Sequence, residues 1–149
     1  MTRLLIVAHE GVTNPTLRNM VRDLVAEDQG VEFDLLVPAT PIQHLVFRHP
    51  RGTDPELVAR QRVEDARAAF AEWALPLVDA VVGPPDPLEG IEAAVRAHPD
   101  YAGFVISTLP QERSRWLRMH LPRKVRKMYG LPVHEVEMSV GELAQRMLP

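Results

Sequence analysis

Apolar residues in this chain alternate between two spacings. Short, mostly apolar stretches of five to seven residues, of which Leu4 to Ala8 is unbroken, are separated by longer stretches in which apolar positions recur every three or four. Continuous runs fit strands buried on both faces, and the three-to-four spacing fits one face of a helix. Arg3 to Ala8 reads as the first strand. Asn14 followed by Pro15 reads as an N-cap with proline in the first helical position. Leu17, Met20, Val21, Leu24 and Val25 then repeat at helical spacing, and Gly30 closes that helix. Glu32 to Val37 is the second strand. Asp54 opens a second helix, in which Ala59, Val63, Ala66, Phe70 and Trp73 form the apolar stripe opposite Arg60, Arg62, Glu64, Asp65 and Arg67.

Leu77 to Val82 is a third strand, expected to be covered on both faces like the others. Gly83-Pro84-Pro85-Asp86-Pro87 turns into a short helix carrying Leu88, Ile91 and Val95. Tyr101 to Ser107 is a fourth strand, and the basic helix that follows it is expected to be interrupted or kinked at Pro122. Leu131 to Glu137 is a fifth strand. Ser139, with Glu142 completing a capping box, starts a last helix. Strands alternating with helices predict an α/β fold of three layers, α/β/α, around a parallel sheet. The segment Pro38 to Thr53 fits neither spacing, and it is long for a connection. It suits a lid over the sheet edge.

Composition narrows the class. The chain has 149 residues, 46% of them hydrophobic, and is expected to form one domain over 1–149. It contains no cysteine, which excludes disulfides, thiolate metal sites and cysteine nucleophiles. No apolar run approaches the length that spans a bilayer, and the start MTRLLIVAHEG is too short for a signal segment, so a cytoplasmic location is expected.

Charge changes the picture more. Arg113 to Lys127 reads RSRWLRMHLPRKVRK and holds seven of the 17 Lys and Arg, with no acid. With a net charge of −3, that +7 leaves −10 on the rest of the chain. Such segregation suits an anion site, and the segment directly follows Ser107 and Thr108 at a strand end, where open α/β sheets hold ligands. Arginine forks can grip phosphate oxygens, and a helix N-terminus adds a favourable dipole. A solvated basic face with Trp116, Leu117, Leu121 and Val125 as its buried side explains the same residues.

His9 and Glu10 end the first strand. The histidine suits a hydrogen bond to a base or ribose, and the pair by itself specifies no reaction. His44 and His49, even joined by His120 or His134, match no metal-binding spacing. Walker A, GxGxxG, GxSxG and HExxH motifs are absent.

The joints between elements carry a resemblance. Val81-Val82-Gly83-Pro84-Pro85-Asp86-Pro87-Leu88-Glu89-Gly90-Ile91, then Phe104-Val105-Ile106-Ser107-Thr108, a basic helix and Gly130-Leu131-Pro132-Val133, resemble the strand–turn–helix units of the universal stress protein family. The likeness runs from Leu4 to about Val136. It implies a five-stranded parallel sheet of the universal stress protein or adenine nucleotide alpha hydrolase-like type, here with an extra C-terminal helix, and a homodimer formed through the last strand. It implies ATP or another nucleotide as ligand. This chain departs from the pattern where the family's glycine loop would hold phosphates. It reads Ser107-Thr108-Leu109-Pro110-Gln111-Glu112, has no glycine between Gly103 and Gly130, and places Met119-His120 near the later Gly-Ser. His9 replaces the family's first-strand Asp.

The residues thus point first to a non-catalytic domain that binds a small anionic ligand at the carboxyl ends of strands one and four. The expected contacts are His9, Glu10, Thr13, Ser107, Thr108, Arg113, Ser114 and Arg115. No catalytic or metal-binding residue is assigned. The alternative is a ligand-free interaction module that uses the basic 113–127 helix or the C-terminal strand and helix. The negative net charge and 5% aromatic content count against nucleic acid as a partner.

Overall fold

The structure, a computed structural model, describes residues 2–9, 12–39, 54–108 and 120–137. Five strands and four helices alternate among them: β1 (Arg3–Val7), α1 (Pro15–Glu27), β2 (Glu32–Pro38), α2 (Pro55–Glu72), β3 (Leu77–Gly83), α3 (Pro87–Ala97), β4 (Gly103–Thr108), α4 (Leu121–Tyr129) and β5 (Val133–Glu137). The strands pair in parallel in the order β3-β2-β1-β4-β5. The α/β class is therefore the one the spacing predicts. The last helix, with Ser139 and Glu142, and the irregular segment with His44 and His49 lie outside the described residues.

Chain direction decides which face each helix covers. From β1 the chain steps outward to β2 and β3, then crosses back to β4 and on to β5. Right-handed crossovers put helices of opposite stepping direction on opposite faces. On one face Leu4, Ile6, Ala8, Phe33, Leu35, Val37 and Val105 pack under Leu17 and Val21 of α1 and Ala59, Val63, Ala66 and Phe70 of α2. On the other, Leu5, Val7, Leu36, Phe104 and Ile106 pack under Ile91 of α3 and Leu121 and Val125 of α4. α3 approaches the sheet closely: a Cβ added to Gly90 would lie 2.9 Å from Leu36, and one added to Gly83 would lie 2.5 Å from it.

Three helices open on the same device. Asn14, Asp54 and Asp86 each accept a hydrogen bond from the amide two residues on, at 2.8, 3.0 and 2.9 Å, and each is followed by a proline in the first turn. α4 differs. Its N-cap His120 adopts a left-handed conformation, φ 51°, and makes no side-chain cap bond. Pro122 lies in the first turn of α4, where its missing N–H has no intrahelical partner to lose, so among the described residues it opens the helix and does not kink it.

β3 departs from the expectation of two covered faces. It is an edge strand, and Val78 and Val81 are 45% and 43% exposed. A register shift between Phe33 and Asp34 disturbs its pairing with β2. Its outward backbone is capped from within the chain: Arg67 of α2 donates to the Ala80 carbonyl at 3.2 Å, and the Ala80 amide donates to Asp79 Oδ1 at 2.9 Å. At the opposite edge Arg126 of α4 donates to the Val133 carbonyl at 3.1 Å and to Glu135 Oε2 at 3.0 Å. Capping by side chains withholds edge groups that would otherwise template another strand.

Candidate functional site

β1 and β4 are neighbours in the sheet but belong to the two halves of the chain that step in opposite directions. The gap beyond their carboxyl ends is the topological switch point, where the two connections diverge and leave a crevice. β1 leads there into Ala8 and His9, and β4 ends there in Ser107 and Thr108. α1 begins at the same edge, because the loop from His9 through Val12 and Thr13 reaches its cap at Asn14. α4 begins there too, since it leads back to the start of the parallel strand β5. Both helices thus turn the positive ends of their dipoles to this edge.

Four of the expected contacts are among the described residues, and the fold brings them to this one edge. His9 is 2% exposed, Ser107 is fully buried, and Thr13 and Thr108 are half-buried. Ser107 follows the alternation of Val105, so its side chain turns to the α1 face. Glu10, Arg113, Ser114 and Arg115 lie outside the described residues.

One further residue belongs with them. Asn14 is fully buried; its Oδ1 caps α1 by accepting the Thr16 amide, and its Nδ2 meets no hydrogen-bond partner among the described residues. The Ser107 Oγ likewise has none. A buried polar group without a partner costs about 1–3 kcal/mol, so a partner from outside is of value to each of these two atoms. The sequence offered one clue to Asn14. An aspartate or serine would cap the helix equally well, and only asparagine brings an amide donor that the cap leaves over.

The basic segment divides. Within α4, Leu121, Pro122 and Val125 are buried while Arg123, Lys124 and Lys127 face solvent, and Arg126 is committed to β5. At the N-cap of α4, His120 holds a left-handed backbone that glycine adopts at least cost.

A second polar group lies away from this edge and was not legible in advance. Asp34, midway along β2 and 4% exposed, accepts the Tyr101 hydroxyl at 2.5 Å and lies 3.0 Å from Arg3 Nη2. Burial, followed by the bond to Asp34, pushes the Tyr101 hydroxyl far above its ordinary pKa. Asp34 and Asp79 face each other in register across β2 and β3 and line a pocket of about 240 Å³ beneath α3. Among the described residues, no three His, Asp or Glu side chains gather as a metal site would require, and no helix is long and apolar enough to cross a membrane.

With this geometry in place, comparison with known proteins bears on the fold. A solved structure of a protein from the universal stress protein family of Burkholderia pseudomallei aligns with a TM-score of 0.56 over 90% of this chain and 94% of that one. The two are 16% identical, so the likeness concerns the arrangement of strands and helices. No protein-family model matches the chain, and no curated protein matches it.

Proposed function

We propose that the chain, as one domain over residues 1–149, is a universal-stress-protein-like binding protein. It holds a small anionic ligand, a nucleotide among the candidates, beyond the carboxyl ends of β1 and β4 and does no covalent chemistry on it. The observation that carries this reading is the pair of fully buried polar groups at the switch point, Asn14 Nδ2 and Ser107 Oγ, with no partner among the described residues. His9, Thr13 and Thr108 stand at the same edge. Two helix N-termini favour negative charge there, and the basic stretch that starts at Arg113 follows directly in sequence. The missing glycines argue against a phosphate cradle of backbone amides, which leaves the grip to side chains: hydroxyls, the Asn14 amide and the arginines at 113 and 115.

A panel of nucleotides and simpler phosphates in a thermal-unfolding assay tests this reading. A ligand at a hundred times its Kd stabilises the folded state by about 2.7 kcal/mol. At least one nucleotide should raise the Tm, and Ser107→Ala and the pair Arg113→Ala, Arg115→Ala should each reduce the rise. Equal Tm values with and without every ligand would count against the reading.

A second reading is favoured by the outer surface of α4, where Arg123, Lys124, Lys127 and the 49%-exposed Met128 lie together. There the basic helix, or β5 and the segment after it, docks a protein partner, a second copy through β5 included. Charge reversal at Arg123, Lys124 and Lys127 would abolish partner capture on this reading and leave the nucleotide response intact.

A further inference from the structure

The pocket beneath α3 is separate from the switch point. Its floor is Leu5, Leu36 and Val81, its helical wall is Gly90, Ala93, Ala94 and Ala97, and its polar groups are Asp34, Asp79, His98 and Tyr101. Small residues make the room. Alanine or glycine at four positions of α3 keeps that helix from filling the space, and Gly90 lets its backbone sit on Leu36.

What fits the room follows from its chemistry. A volume near 240 Å³ holds a molecule of about ten non-hydrogen atoms, somewhat below the range of drug-sized sites. Most of the wall is aliphatic, so the body of the occupant is apolar. The charged groups in the lining are both carboxylates. The arginines that balance them, Arg3 and Arg67, are not part of the lining. Asp34 is already occupied by Tyr101 and Arg3. Asp79 is occupied on one side only: its Oδ1 accepts the Ala80 amide and pairs with Arg67 at 3.7 Å, and its other oxygen makes no hydrogen bond among the described residues. A half-exposed carboxylate at the mouth of an apolar pocket is matched by a cation. The rings of His98 and Tyr101, packed edge to face with centroids 5.9 Å apart, add a surface on which an aromatic body can lie.

A strand from another chain is the competing occupant, because β3 is an edge strand and Val81 of the lining is exposed. The edge speaks against it. Arg67 and Asp79 cap both backbone groups of Ala80, and the register shift at Phe33 and Asp34 breaks the regular ladder an incoming strand would extend.

We propose that this pocket is a binding site for a small molecule with an apolar, ring-sized body and a protonated amine that pairs with Asp79. The test is a titration of the full chain, followed by amide NMR shifts, with 2-phenylethylamine and with 3-phenylpropionate, which has a similar body and the opposite charge. The amine should produce saturable shifts at Gly83, Gly90, Ala93, Ala94 and Ala97, and the carboxylate should not. Asp79→Asn keeps the acceptor for the Ala80 amide and loses the charge, so it should weaken the amine about fivefold, the size of a half-exposed ion pair. Ala97→Leu, at an exposed helix position lining the pocket, should weaken it by filling space. Equal shifts from both probes, shifts confined to other residues, or no shifts at millimolar amine would overturn the proposal.

Discussion

Tyr101 and Asp34 show how much one residue pair can matter. The Tyr101 hydroxyl is the hydrogen-bond partner of a carboxylate oxygen deep under α3. Tyr101→Phe leaves that oxygen buried and unpaired, at a cost of about 1–3 kcal/mol. Chemical denaturation at neutral pH should show this loss. The pH dependence has a definite sign. Because folding raises the Tyr101 pKa, both states are protonated below the ordinary value of 10.0 and its contribution is fully present there. Above that value the unfolded chain releases the proton first, so stability falls as pH rises. The fall should be smaller in Tyr101→Phe than in wild type, leaving the part contributed by Tyr129, whose hydroxyl burial also pushes up. His120 gives a second prediction at this scale. It holds a left-handed φ of 51° that glycine adopts freely. His120→Gly should therefore leave stability unchanged or raise it by up to about 1 kcal/mol, and Gly130→Ala, at φ 63°, should lower it by a similar amount. The cap at Asn14 was legible because cap and proline are neighbours in sequence. The Tyr101–Asp34 pair was not, since 67 residues separate the partners and neither is unusual in its local stretch.

At the scale of the element, the edges of the sheet decide most. Leu77 to Gly83 reads LVDAVVG, as apolar as the central strands, and nothing within it says that it ends the sheet. Its exposure is a consequence of strand order, which depends on how all the crossovers stack. The effect of Pro122, expected to interrupt or kink the basic helix, likewise depends on context beyond its own residue. A proline's effect depends on where the helix begins, and the left-handed turn at His120 starts it at Leu121. The capped edge is itself testable. Arg67→Ala combined with Asp79→Ala removes both side-chain partners of the Ala80 backbone. That variant should self-associate as its concentration rises, measured by sedimentation velocity, while either single variant associates less. Unchanged sedimentation of the double variant would mean that capping does not protect this edge.

At the scale of the whole molecule, the order β3-β2-β1-β4-β5 makes a switch point from two strand ends that lie about 100 residues apart in sequence. The alternation of strands and helices was enough to predict a parallel sheet. It was also enough to place His9, Thr13, Ser107 and Thr108 at carboxyl ends of strands or just beyond. What the sequence left open was burial. Asn14 and Ser107 become unusual only when α1 and the sheet close over them and their polar atoms find no partner among the described residues. The central claim is that a ligand from outside satisfies these groups. Its most direct measurement is an electron-density map of protein purified without added nucleotide and then crystallised with the best ligand of the thermal panel. The account predicts density beyond the ends of β1 and β4, within hydrogen-bonding distance of Ser107 Oγ and Asn14 Nδ2. A ligand bound elsewhere, or a map in which protein side chains satisfy both atoms, would contradict it.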